Sequence, residues 1–195
     1  MRIGLDMDNV ITDFDKLLEV EMKKLDKSLR NRGVIDENAR HVTRGKYDLT
    51  NEEIEDYLCK YMEEFASRLE VRDGAKYYMD KLLDDGHELI ILTNRPDRHY
   101  KNAYGTTIKW LNKNSINYTK LVITKDTNKT KECKEENVDI MFDDNVGNCI
   151  KLKNGGVNVC IMGTSYNKNR TEGLPIVMDW KELYNKINAM QNNDI

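Results

Sequence analysis

Short apolar runs alternate along the chain with stretches in which apolar residues return every three or four positions. The runs at 2–5, 88–92, 120–123, 139–142 and 157–161 have the length and near-continuous hydrophobicity of strands buried on both faces of a parallel sheet. The periodic stretches at 74–85, 98–114, 129–136, 146–154 and 179–190 read as amphipathic helices placed between and after them. Strand and helix in alternation predict an α/β fold, a doubly wound parallel sheet wrapped by helices. Gly86 and the Gly155-Gly156 pair stand where two of the helices must stop, as left-handed caps.

One segment breaks the alternation. Between Thr12 and Val71 there is no convincing strand, only two helical patterns, 14–29 and 51–69, joined by a polar stretch. Thr50 followed by Asn51-Glu52-Glu53 gives the second helix a start resembling a capping box. The division this predicts is a core of residues 1–12 and 72–195 with a small helical cap, residues 13–71, inserted after the first strand. Such an insertion stands over the carboxyl end of that strand, where ligands bind in open α/β sheets.

Bulk properties narrow the classes. A chain of 195 residues holds one α/β core with a small insertion but not two full domains. Its 31 Lys and Arg are scattered among 34 Asp and Glu for a formal charge of −3, which gives no stripe for nucleic acid or a membrane surface. No apolar run approaches the ~20 residues that span a bilayer. Cys59, Cys133, Cys149 and Cys160 lack C-x-x-C spacing, and no apolar leader follows Met1, so the expected setting is a reducing cytoplasm. Cys133, Cys149 and Cys160 fall in apolar-periodic stretches as small buried hydrophobes. His41, His87 and His99 have no metal-ligand spacing with one another and are expected at the surface. Monomer and homodimer remain equally open.

The chemistry concentrates at the strand ends. Asp6 and Asp8 follow the first strand at i, i+2 spacing, so both side chains can face one crevice. A carboxylate can take a phosphoryl group when a hard cation neutralises the electrophile's charge. Mg²⁺ suits that role because it takes oxygen ligands from one or two carboxylates plus phosphate and water. Asp143 and Asp144, after the fourth strand, supply further oxygens. Thr93 and Asn94 end the second strand with a hydroxyl and an amide suited to phosphoryl oxygens. Lys129 opens a helix beyond the third strand and would steady the anion, with Lys125 and Lys131 as rivals. Taken singly, each has a bland reading: acidic residues after strands form turns or cap helices, and Arg95 suits either phosphate contact or a solvated loop. Tyr57, Tyr61 and Phe65 recur at helical spacing and read as the apolar face of the cap helix rather than a base-binding box.

The four groups in this order, Asp6/Asp8, Thr93, Lys129 and Asp143/Asp144, resemble the motifs of the haloacid dehalogenase-like phosphatase superfamily across roughly the whole chain. That resemblance implies Asp6 as nucleophile and Asp8 as general acid and base, the latter being present in its phosphatases and absent from its dehalogenases. It implies Mg²⁺ on the Asp6 carboxylate, the Asp8 carbonyl and Asp143, with Asp144 as ligand or outer partner, and phosphoryl oxygens on Thr93 and Lys129. Within the superfamily the run Asp6-Met7-Asp8-Asn9-Val10-Ile11-Thr12-Asp13-Phe14, the Lys129-to-Asp143 stretch, and Ser165-Tyr166-Asn167 followed by Trp180 are similar to the cytosolic 5'(3')-deoxyribonucleotidase group. Phe14 and Tyr47 would then flank a nucleobase, with Asn94 and Arg95 as further substrate contacts. The segment Arg44-Gly45-Lys46-Tyr47 departs from that group, which carries more aromatic residues there. The expected activity is a Mg²⁺-dependent phosphomonoesterase acting on a small phosphate ester, preferentially a (deoxy)nucleoside monophosphate. A sugar phosphatase and, in another class, a non-catalytic phospholigand-binding protein are the alternatives. A nucleic-acid 3'-phosphatase is disfavoured by the lack of a basic groove.

Overall fold

The computed structural model describes residues 1–39 and 41–193. Its elements run β1 (Arg2–Leu5), α1 (Phe14–Leu29), α2 (Asn51–Ser67), α3 (Ala75–Asp84), β2 (Glu88–Asn94), α4 (Ala103–Lys113), β3 (Lys120–Thr124), α5 (Thr130–Glu135), β4 (Ile140–Asp143), α6 (Val146–Asn154), β5 (Val159–Met162), β6 (Ile176–Val177) and α7 (Trp180–Asn193). The six strands form one sheet in the order β3-β2-β1-β4-β5-β6, and every pairing is parallel. This is the expected doubly wound α/β class. The direction of winding reverses at β1, between β2 and β4, so a crevice opens beyond the ends of β1 and β4.

Burial on both faces explains why β1, β2, β4 and β5 read as continuous apolar runs. Ile3, Leu5, Leu89, Ile91 and Phe142 join the cluster beneath α3, α4 and α7, while Ile90, Leu92, Met141 and Ile161 join the cluster beneath α6. Gly4 lies where the sheet leaves no room: a Cβ there would sit 2.6 Å from Met141 Sδ and 2.9 Å from Val138 Cγ1. A third cluster gathers Leu18, Met22 and Leu25 of α1 against Ile54, Leu58, Met62 and Phe65 of α2, with Tyr100 contributed from the loop after β2. The α2 start is a full capping box: Glu53 N donates to Thr50 Oγ1 at 3.2 Å and Thr50 N to Glu53 Oε2 at 2.8 Å. Such a cap contributes ~1 kcal/mol.

The molecule departs from the sequence expectations at several points and meets them at others. Strand β6, two residues long, carries too little pattern to be seen in sequence. Helix α4 starts at Ala103 rather than near 98, because Pro96 to Asn102 form turns and Asn102 caps the helix through Gly105 N. Gly86 and Gly156 adopt the left-handed conformation, at φ 82° and 81°, but Gly155 ends its helix with φ −77°. His87 is buried, not exposed, and its Nδ1 lies 3.3 Å from the amino terminus; burial and that charge both lower its pKa. Cys133, Cys149 and Cys160 are buried and Cys59 is exposed. Tyr57, Tyr61 and Phe65 stack along α2 as part of the apolar cluster. Among the described residues no helix is long and apolar enough to cross a membrane.

Candidate active site

Asp6 emerges from β1 with its amide donating 2.9 Å to the Phe142 carbonyl, which continues the β1–β4 ladder one residue further. That bond brings Asp6 beside Asp143, the last residue of β4. Between them lies Lys129, whose Nζ is 2.8 Å from Asp6 Oδ1 and 2.8 Å from Asp143 Oδ2. Lys129 and Asp143 are fully buried and Asp6 is 8% exposed. Of the rivals, Lys131 is exposed and pairs with Glu135 on its own helix, and Lys125 is exposed in the loop after β3. A buried ammonium must be paired, and this one is paired twice.

Carboxylates nonetheless outnumber the ammonium. Ligand oxygens of Asp6, Asp143 and Asp144 lie within 4.8 Å of one another. Burial pushes the Asp6 carboxyl up to about 7; Lys129 opposes this, while Asp143 and Asp8 add to it. Burial followed by Asp143 and Asp6 raises Asp144 well above the ordinary range. Burial works against the Lys129 ammonium, but Asp143 and Asp6 outweigh it and raise its pKa. An all-oxygen set with uncompensated negative charge fits a hard divalent cation, so Asp6, Asp143 and Asp144 are the residues able to hold Mg²⁺.

The surrounding loops are fastened. Asn9, in the left-handed region at φ 58°, donates to Asp144 Oδ2 at 2.9 Å and accepts from Asp15 N at 2.8 Å. The Arg72 guanidinium reaches the carbonyls of Asn9, Gly163 and Met178, and Trp180 Nε1 donates 2.8 Å to Val10 O. Asn167 Nδ2 donates 2.7 Å to Asp144 O and 2.9 Å to Met162 O. Asn145 caps α6 and its amide binds Asp143 Oδ1 at 2.9 Å, so this turn both starts the helix and aims the carboxylate. Asn9 and Asn167 stand in the runs that carry the family resemblance but have no role assigned from sequence, and Arg72 is not singled out at all. Asn9, a residue tolerant of positive φ directly after Asp6-Met7-Asp8, had the one available signal, whereas Arg72 and Asn167 act across distances that pattern does not encode.

Asp8 is half-buried and receives 3.0 Å from Arg95 Nη2 through Oδ1. Arg95 is 2% exposed, not solvated, and its other Nη binds the Tyr100 hydroxyl, while its buried Nε has no partner. Thr93 is buried at the end of β2, and Asn94 spends its amide on the Thr124 carbonyl at 3.1 Å. Phe14 opens α1 and packs against both the sheet cluster and the α1–α2 cluster. Tyr47 is buried within the α1–α2 cluster, at 5% exposure. Beside Asp144 a cleft of about 400 Å³ opens, lined by Asp15, His41, Arg44, Tyr166, Asn167 and Arg170 among others. Lys46 pairs with Glu19 and lies 3.5 Å from the Tyr166 hydroxyl at its margin.

Comparison with known proteins places this arrangement. The family model of "5' nucleotidase, deoxy (Pyrimidine), cytosolic type C protein" matches residues 1–192. A protein of Chlorobaculum tepidum, assigned by inference as a 5'(3')-deoxyribonucleotidase, is 27% identical over 195 residues, covering 96% of this chain and 90% of the relative. The Bacillus subtilis protein YqfW, assigned by inference as a nucleotidase, is 24% identical over 192 residues, with 98% and 92% covered. Among solved structures, the inferred HAD-hydrolase YfnB of Bacillus subtilis, bound to magnesium, shares the fold at a TM-score of 0.62 and 17% identity, covering 96% of this chain and 98% of that one. With a match running from residue 1 to 192, the chain belongs to the cytosolic type C 5'-nucleotidase family within the HAD-like fold and is a phosphoric monoester hydrolase.

Proposed function

We propose that the protein is a Mg²⁺-dependent 5'-nucleotidase that hydrolyses (deoxy)nucleoside monophosphates through an aspartyl-phosphate on Asp6. The observation that carries this reading is Lys129 bridging Asp6 and Asp143 at 2.8 Å each, with Asp144 close by. A bound Mg²⁺ would polarise the phosphoryl group and offset its charge. One Asp6 oxygen attacks phosphorus as the bond to the leaving oxygen breaks, and Asp8 delivers a proton to that oxygen. Asp8 then takes a proton from water as it attacks phosphorus and the bond to Asp6 breaks. Because Arg95 occupies Oδ1 of Asp8, we assign the proton transfers to Oδ2. Lys129 and Thr93 hold the phosphoryl oxygens, and Lys129 also steadies Asp6. In this reading α1 and α2 form a cap over the strand ends, Phe14 offers a face to the base, and the enzyme works in the cytoplasm, in keeping with the family's name.

The cleft beside Asp144 supports a second reading, a sugar phosphate or similar polar ester, because its lining is mostly polar, with Arg44, Arg170, Asn167 and Asp15, and among the described residues Tyr166 is its one Phe, Tyr or Trp. A panel of nucleoside monophosphates and sugar phosphates separates the two. The nucleotidase reading expects kcat/KM to favour nucleotides, and Phe14→Ala to lose roughly 1–3 kcal/mol of that preference as one stacking contact. Uniform kcat/KM across the panel, unmoved by Phe14→Ala, would transfer the assignment to the sugar phosphate.

A further inference from the structure

We infer that Glu55, Cys59 and His99 form a second metal site, apart from the carboxylates at the strand ends, that takes a borderline-soft divalent cation such as Zn²⁺ and ties α2 to the loop leaving β2. Glu55 and Cys59 stand four residues apart on α2 and so project from one face. His99 arrives from the turns between β2 and α4. The three ligating atoms lie within 4.8 Å of one another. Glu55 Oε1 is their common point: His99 Nε2 is 3.0 Å away and Cys59 Sγ 3.8 Å. Metal–ligand bonds of about 2.0–2.3 Å in a tetrahedron separate ligand atoms by roughly 3.3–3.8 Å, so small rotations would open this triangle around a cation.

The donor set defines the metal class. A carboxylate, a thiolate and an imidazole suit Zn²⁺ or Co²⁺, whereas Mg²⁺ prefers oxygen. Cys59 and His99 also line a cleft of about 820 Å³ between α2 and α4, which gives an entry path and space for water as the fourth ligand. None of Asp6, Asp8, Asp143 and Asp144 lines that cleft. Burial acts to raise the Glu55 carboxyl, but hydrogen bonds from His99 and Arg98 outweigh it and keep Glu55 ionised. Desolvation and the neighbouring Glu55 carboxylate hold the Cys59 thiol above its ordinary pKa, so metal binding must release that proton to solvent. Arg98 Nε also donates to Glu55 Oε1, at 2.7 Å, and competes with the cation, but its side chain is 64% exposed and free to swing into water. The loop that carries His99 also carries Arg95, which binds Asp8 and the Tyr100 hydroxyl, so an occupied site restrains α2 against the loop that orients the proton-transfer carboxylate.

The test uses the full chain with Co²⁺ as probe and Mg²⁺ in large excess to fill the carboxylates. The expected result is one equivalent of Co²⁺ with tetrahedral absorption bands and a thiolate-to-cobalt charge-transfer band, all displaced by Zn²⁺. Cys59→Ser should abolish the charge-transfer band while leaving phosphatase activity without added Zn²⁺ unchanged. His99→Gln should weaken binding by at least the ~10–100-fold that loss of an outer-shell partner costs. Arg98→Gln should tighten it by removing the competing cation, and Zn²⁺ should raise the Tm of the wild type more than that of Cys59→Ser. Octahedral Co²⁺ without a thiolate band, or a band that survives in Cys59→Ser, would overturn the inference.

Discussion

At the ends of β1 and β4 the charged side chains are buried and held by the sheet, with Lys129 between two carboxylates at 2.8 Å each. In the cleft beside Asp144, Arg44 and Arg170 are exposed and come from segments far apart in sequence. The first region has almost no freedom to change, because a buried charge that loses its partner is left uncompensated, at a cost of about 3–5 kcal/mol. The second can exchange side chains at little cost to folding, since substitutions at exposed positions usually stay within about 0.5 kcal/mol. In the proposed reading the chemistry therefore rests on buried charges that cannot change cheaply, while the exposed residues of the cleft are free to vary.

The sharpest break in this contrast should come from Lys129→Met. With Asp6 and Asp143 left buried without their ammonium, turnover should fall by roughly 10³-fold, and urea denaturation should show a loss of several kcal/mol, reduced by whatever protonation the carboxylates can take up. By contrast, Arg170→Met in the cleft should move the midpoint by less than about 0.5 kcal/mol and act mainly on KM. Equal stability losses in the two variants would erase the distinction.

A smaller effect is expected from Arg95→Gln. Removing the partner of Asp8 Oδ1 disturbs proton transfer, which contributes typically ~10²–10⁴-fold, so a loss of about 10–100-fold in kcat is expected for a nucleotide. An aryl phosphate, whose leaving group needs no proton, should lose much less during phosphoryl transfer to the enzyme. A loss confined to KM and equal for both substrates would assign Arg95 to binding instead.

The smallest expected effect is thermal. Because burial raises Asp6 to about 7 and raises Asp144 as well, their stabilising contribution is fully present below the unfolded carboxyl values and is lost as pH rises through the folded ones. Mg²⁺ binds the ionised forms and reverses that loss, so its increment in Tm should be larger near about pH 8 than near about pH 5.5. His87, whose pKa is lowered, contributes in the opposite direction over part of this window, but it lies at the amino terminus and cancels when Tm with and without Mg²⁺ is compared at each pH. An increment independent of pH would contradict the carboxylate site.

The contrast also marks what could be read from the chain. Strands buried on both faces betray themselves as apolar runs, and Asp6 directly follows one such strand while Asp143 ends another. Lys129 could be ranked above Lys125 and Lys131 by resemblance, but only the fold puts it between two carboxylates. Tyr47 carried an aromatic signal and proved to be a buried member of the α1–α2 cluster, since aromatic character alone does not separate a packing face from a binding face. Arg72, Asn167 and Lys46 act over long sequence separations, and β6 is held by its pairing with β5 rather than by a pattern of its own.

The central claim is that Asp6 carries the phosphoryl group and Asp8 moves the protons, and an Asp8→Ala variant given an aryl phosphate and Mg²⁺ tests it most directly. The good leaving group departs without an acid, but the attacking water has lost its base. The account predicts a burst of aryl alcohol close to one per protein, slow turnover afterwards, and covalent phosphate on the peptide containing Asp6, all absent when Asp6→Asn is added. Steady turnover at the wild-type rate, or covalent phosphate on any other residue, would contradict it.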